Sequence, residues 1–219
     1  MNMPKKTKTI YFIRHGQSND NVAPVFQSPD SPLSATGRQQ AQAIAKRIAN
    51  VDFDVLISSP LHRTKETAEI ISQETNKKIK LSSLFVERIK PDAIIGKPYG
   101  DPKASLIWRE WEKSLYTPGM HVDNGENFDD LIKRADEALD FLSNRSENHI
   151  VVVTHGYFLR TVIARILLGD SLSGENFRSF QKVTSMENTA LTIIKFKDAF
   201  EEDATWRLDT YNDYSHLGK

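Results

Sequence analysis

The run HIVVVTHG, His149 to Gly156, decides the fold class. Four consecutive β-branched or apolar residues, Ile150 to Val153, leave no polar face, so this strand suits a sheet covered on both sides. It leads directly into YFLRTVIARILLG, Tyr157 to Gly169, whose spacing predicts a helix ending at Gly169. The same order recurs elsewhere. KTIYFI (8–13) and DVLISS (54–59) read as strands. SATGRQQAQAIAKRIANV (34–51) reads as a helix with Ala41, Ile44, Ala45 and Ile48 on one face. SPLHRTKETAEIISQ (59–73) reads as another, with Ser59 as N-cap and Pro60 in its first position. GENFDDLIKRADEALDFLSNR (125–145) sets Phe128, Leu131, Ala135, Leu139 and Leu142 on one face, and TALTIIKF (189–196) and TWRLDTY (205–211) close the chain as strands. Alternation of this kind predicts an α/β three-layer sandwich, a mostly parallel central sheet flanked by helices.

Composition narrows the function. The chain has 219 residues, enough for one large domain that needs no covalent staples. It has no cysteine, which excludes disulfides, thiolate metal sites and a cysteine nucleophile, and suits a cytoplasmic location. Basic and acidic residues number 29 each, so there is no general basic excess for nucleic acid, and none is expected as a partner. The lysines of MNMPKKTKTIYFI superficially resemble a leader, but the apolar run is short and Arg14 interrupts it. No stretch approaches the roughly 20 apolar residues of a membrane span, so no membrane partner is expected. Oligomeric state has no signal in the sequence.

Two strands end alike, FIRHG at His15-Gly16 and VVTHG at His155-Gly156. Ligands of open α/β sheets collect at the carboxyl ends of strands, and the glycines would let backbone approach a ligand there. Arg14, at the end of a buried strand, needs either a fixed carboxylate or an incoming anion, because an unpaired buried cation is costly. Arg63 sits in the first turn of its helix, where the dipole disfavours a cation unless an anion binds beside it. Singly, each residue has an ordinary explanation: an ion pair, a packed histidine, a solvated arginine. Jointly they point to a site for an anion. A metal site fits less well, since no HxxxH or histidine-carboxylate cluster accompanies the histidines and two arginines would repel a cation.

RHGQSNDN (14–21), DSPLSATGRQQA (30–41), SSPLHRTKETAE (58–69), NGENFDDLIKRA (124–135) and VVVTHG (151–156) together resemble the histidine phosphatase superfamily, in its phosphoglycerate mutase-like branch. The resemblance covers nearly the whole chain. With no internal repeat or linker, the chain itself reads as a single domain over 1–219, its less regular segment at about 82–124 a lid or insertion lying over the sheet's C-terminal edge. The resemblance implies His15 as a nucleophile that becomes phosphohistidine, with Arg14, Arg63, His155, Asn21 and Gly156 around the phosphoryl group. Glu87, in LFVERIK, matches the acid that protonates the leaving oxygen and then activates water. No metal and no cofactor are required. Histidine's reference pKa near 6.5 supplies the neutral nucleophile, and planar guanidinium groups suit the phosphoryl oxygens.

The lid segment bears on the substrate. Mutases of this branch carry a longer insertion with paired arginines that grip a second acidic group. Here Arg88, Lys90, Lys97 and Lys103 are scattered among prolines. The expectation is a metal-independent phosphomonoesterase for a small phosphorylated substrate. A mutase-type phosphoryl transfer and a catalytically silent binding module on the same scaffold are the alternatives. Trp108 and Trp111, three apart, are expected to share a core-facing helix side rather than line a ring-binding pocket. Glu66 and Glu69 are expected to be solvated, and Glu126 to cap the helix that follows it.

Overall fold

The chain's structure, a computed structural model, describes residues 7–199 and 202–218. Lys5 and Lys6 of the leader-like start lie outside the described residues. Strands β1 (Thr7–Arg14), β2 (Val55–Ser58), β3 (Ile79–Leu81), β4 (His149–Thr154), β5 (Leu191–Ala199) and β6 (Glu202–Asp213) form one six-stranded sheet in the order β3-β2-β4-β1-β5-β6. The first four run parallel; β5 returns antiparallel beside β1, and β6 pairs antiparallel with β5 at the edge.

Helices cover both faces. On one side, α2 (Ala35–Ile48) and α3 (His62–Thr75) bury Ile44, Ala45, Ile48, Ala68 and Ile71 against Ile13, Leu56, Val151 and Val153. On the other, α5 (Phe128–Ser143), α6 (Gly156–Leu168) and α7 (Gly174–Val183) pack Leu131, Leu142, Phe158, Val162 and Phe177 against Ile10, Phe12, Ile150 and Val152. Successive residues of β4 thus serve opposite cores, which is why its sequence is an unbroken apolar run. Each such large side chain contributes roughly 1.5–3 kcal/mol by leaving water. Ser34 caps α2 by accepting from Gly37 N at 3.0 Å, and α6 ends at Gly169, whose φ is +53°.

Three local expectations need correction. Helix α3 starts at His62 after Leu61, two residues later than the Ser59-Pro60 reading. Ser59 is still in line with the strand, its N–H bonded to Val153 O at 3.0 Å. Glu126 does not cap α5. Asn127 does, in a reciprocal pair with Asp130, while the Glu126 carboxylate accepts both Nε and Nη2 of Arg134 at 2.7 Å and Ile89 N at 2.8 Å. Glu66 is not solvated: it accepts Leu33 N at 2.8 Å and pairs with Arg38 at 2.6 Å, tying α3 to the chain before α2. Sequence spacing cannot reveal partners this far away. Glu69 is exposed as expected.

Residues 82–124 contain α4 (Pro102–Lys113) and a small core of their own, Phe26, Ile94, Ala104 and Trp111. Phe26 comes from the loop after α1 (Asn19–Val22), and backbone bonds stitch that loop to the segment: Phe26 N to Lys97 O at 2.9 Å, Gly96 N to Phe26 O at 2.8 Å, Tyr99 N to Pro24 O at 2.9 Å. Arg88 is a strut here. Its guanidinium lies 3.6 Å from the Trp111 ring centroid, pairs with Glu112 at 2.7 Å and donates to Trp111 O at 3.0 Å. Trp111 is buried as expected, but Trp108 is 39% exposed and faces a cavity, so the two do not share a core side.

Candidate active site

The strand order brings the two His-Gly ends together. β1 and β4 are parallel neighbours with Arg14 opposite Thr154, and His15 N donates to Thr154 O at 3.0 Å. The two imidazoles follow side by side, 5.2 Å between centroids, in an edge-to-face arrangement. Both are fully buried. Asn188 Nδ2 donates to His15 O at 2.9 Å, and Thr67 Oγ1 accepts Gly16 N at 3.1 Å, so the strand end is held from both sides.

His15 has a defined tautomer. Its Nδ1 lies 2.7 Å from Gly16 O, which can only accept, so Nδ1 carries the proton. Nε2 therefore keeps its lone pair, and Arg63 Nε donates to it at 3.1 Å. Arg63 is itself buried and anchored by Nη1 to Ser28 O at 3.1 Å. An arriving phosphoryl oxygen can take over the Arg63 N–H and release the lone pair for attack. His155 is arranged differently. Ser59 Oγ accepts Leu61 N at 3.3 Å and lies 2.9 Å from His155 Nε2. His155 Nδ1 is buried and without a partner among the described residues. Arg14 donates to Met186 O, while its Nε is equally buried and unpartnered. Buried polar groups are nearly always paired; two orphans in one cluster are the signature of a place for acceptor oxygens.

Charge agrees with this. Arg14, Arg63 and Lys90 all lie near one shared carboxylate, Glu87. Burial lowers Arg14, and brings Arg63 down to about 10. Burial, then repulsion from Arg63 and Arg14, holds His15 well below 6.5; burial, then Arg63 and His15, does the same to His155. Both rings are thus neutral at pH 7. An unfolded histidine takes up a proton near pH 6.5 and these folded ones do not, so stability is full above that pH and is lost as pH falls below it. Each ring contributes a slope of up to about 1.4 kcal/mol per pH unit. The urea midpoint should fall between pH 6.5 and 5, and His15→Ala should flatten that fall; an unchanged slope would contradict the assignment.

Glu87 reaches the site on the segment after β3. Its Oε1 accepts Phe158 N at 2.9 Å and Arg88 N at 3.1 Å, and Oε2 accepts Tyr157 N at 3.3 Å. The carboxylate thus sits on the first turn of α6, where the helix dipole favours an anion. It lines a cavity of about 460 Å³ with Arg63 and Lys90. Asn21 is exposed on α1, its Oδ1 accepts Ser18 N at 2.9 Å, and it lines an adjoining cavity.

The glycines serve the protein's own packing. A Cβ on Gly156 would lie 3.1 Å from Arg14 Nε, so Gly156 makes room for that guanidinium. A Cβ on Gly16 would lie 2.4 Å from Gly37 O, and one on Gly37 only 1.9 Å from Gln17 O. The loop after β1 and the start of α2 cross backbone to backbone. Gly37→Ala should therefore lower stability by about 3 kcal/mol, read as a shifted denaturation midpoint.

Sequence reasoning missed Lys90, Ser59 and Asn188. Lys90 follows Glu87 by three residues in an extended stretch, and nothing local distinguishes it from Lys97 or Lys103. Among the described residues no group of three or more His, Asp or Glu side chains could hold a metal ion. Nor is any helix long and apolar enough to cross a membrane.

Residues 10–213 match the histidine phosphatase superfamily (branch 1). The chain belongs to this superfamily. Among its curated relatives is a Proteus mirabilis protein named probable phosphoglycerate mutase GpmB, 29% identical over 214 residues, covering 95% of this chain and 94% of the relative. Among solved structures, a phosphoserine phosphatase from Entamoeba histolytica in complex with phosphoserine superposes with a TM-score of 0.73 at 25% identity, covering 96% of this chain and 99% of that one. A mycobacterial glucosyl-3-phosphoglycerate phosphatase complexed with VO3 gives 0.71 at 25% identity, covering 94% and 99%. Both of these structural neighbours are phosphatases, and the sheet and helix layers agree with the sandwich expected from the sequence.

Proposed function

We propose that the protein is a metal-independent phosphomonoesterase acting through a phosphohistidine on His15. The observation that carries this reading is the unprotonated Nε2 of His15, held beside Arg63 in a cluster with two buried, unpartnered nitrogens, Arg14 Nε and His155 Nδ1. His15 Nε2 attacks phosphorus, the P–O bond to the leaving group breaks, and Glu87 gives its proton to the departing oxygen. Glu87 then takes a proton from water as the water attacks phosphorus and the P–N bond breaks, which returns neutral His15 and free phosphate. Arg14, Arg63 and His155 hold the equatorial oxygens, the main lever in phosphoryl transfer. Gly156 serves by keeping Arg14 in place, and Asn21 acts at the entrance, beside the leaving group. Residues 82–124 act as the lid of a single domain, and the absence of cysteine supports a cytoplasmic setting.

The relatives named as mutases raise mutase-type transfer as the second reading. Arg88 counts against it. It is the arginine of the lid nearest Glu87 in sequence, yet it is spent on Trp111 and Glu112 and cannot grip a second acidic group. The test is incubation with 3-phosphoglycerate and with an aryl phosphate in excess EDTA. Phosphate release from the aryl ester, with acid-labile phosphate trapped on the protein, supports the phosphatase. Interconversion of 3- and 2-phosphoglycerate far faster than release supports the mutase, and release that needs an added metal contradicts both.

A further inference from the structure

A second cavity of about 520 Å³ adjoins the Glu87 cavity, and Gln27 and Lys90 line both. Three aromatic residues from separate segments meet in it. Phe26 stands 4.9 Å from Tyr99 at 83° and 6.4 Å from Trp108 at 36°, centroid to centroid. Phe26 is buried, but Tyr99 is 52% and Trp108 39% exposed. The box is not loose: the Phe26, Gly96 and Tyr99 backbone bonds clamp its two loops, and Ser105 Oγ donates to Tyr99 O at 2.5 Å. Large apolar rings left open around a preformed concavity mark a ligand site more often than a packing fault.

Polar groups at the cavity set the direction. Lys90 makes no ion pair or hydrogen bond among the described residues, although it is close enough to Glu87, Arg63 and Asp20 to feel their charges. Asp20 is already engaged, accepting Ser28 N at 2.7 Å. Lys90 is therefore the one free cation on the boundary between the two cavities among the described residues, placed to meet the ester where phosphoryl group and leaving group join. A phosphoryl group held by Arg63 sends its leaving group past Lys90 and Gln27 into the aromatic box.

We propose that Phe26, Tyr99 and Trp108 form a leaving-group subsite for a planar ring, so that the substrate is the phosphomonoester of a ring-bearing alcohol. This rests on the phosphatase reading for its chemistry, but binding can be tested apart from turnover. The probes are benzyl phosphate and ethyl phosphate, whose alcohols are of similar acidity. With His15→Ala as an inert host, calorimetry should show benzyl phosphate binding at least about tenfold tighter than ethyl phosphate. Adding Trp108→Ala should cut that ratio about tenfold, and Tyr99→Ala should lower it too; both side chains are exposed enough to be removed without unfolding the protein. Equal affinities, no binding of benzyl phosphate at millimolar concentration, or a ratio untouched by both variants would overturn the subsite. Failure of the phosphatase reading looks different: wild-type protein would release no phosphate from either ester, while the binding ratio would still report on the ring.

Discussion

His15→Ala should lower phosphate release by at least about 10⁴-fold, the scale on which removing a covalent nucleophile acts. The geometry explains why no neighbour can substitute. His155 is the other imidazole in the cluster, but its Nε2 is engaged with Ser59 Oγ, whereas His15 Nε2 faces the Arg63 guanidinium that would hold the phosphoryl group. Glu87 is held by three backbone N–H groups, those of Arg88, Tyr157 and Phe158. The variant should stay folded, because the strand end is also held through Asn188, Thr67 and Thr154, none of which uses the imidazole. Release of phosphate from an aryl ester in excess EDTA, beside the circular dichroism of both proteins, checks this. Turnover within tenfold of wild type would remove His15 from the mechanism.

Glu87→Gln is the second large effect, a loss of about 10²–10³-fold in kcat for alkyl esters, within the range for a positioned general acid. Glutamine keeps one acceptor oxygen but turns an N–H₂ toward donors, and it has no proton to give. The loss should therefore depend on the leaving group. It should shrink to about tenfold or less for a nitrophenyl ester, whose oxygen departs without help. An equal loss on both esters would show that Glu87 only supports the structure, and no loss on either would show that another group supplies the proton.

Much of this was legible before any coordinates. Apolar runs such as Ile150–Val153 have no polar face, so they must lie in a sheet covered twice; that is a local property of the chain and holds wherever the strand is placed. Arg14, His15, Arg63 and His155 could be picked out because each sits where its type is expensive: a cation ending a buried strand, a cation at a helix start, two imidazoles beside glycines. Such anomalies are written into adjacent residues. Glu87 was legible only through its resemblance to a known family, and Lys90 not at all.

What remained illegible has one physical origin. An ion pair or a close backbone crossing depends on which segments meet, and no periodicity encodes that. Glu126 looks like a helix cap until Arg134 and Ile89 are seen to claim it. Ser59 looks like a cap until His155 arrives beside it from a strand far along the chain. Trp108 and Trp111 are equivalent on a helical wheel, yet Arg88 and Gly125 close over one while the other opens on a cavity. By itself the sequence determined the layers and the phosphate-seeking residues, because hydrophobic periodicity and misplaced charge are local. The tertiary structure alone decided the tautomer of His15, the freedom of Lys90 and the aromatic box, because each depends on distances between segments that only packing sets.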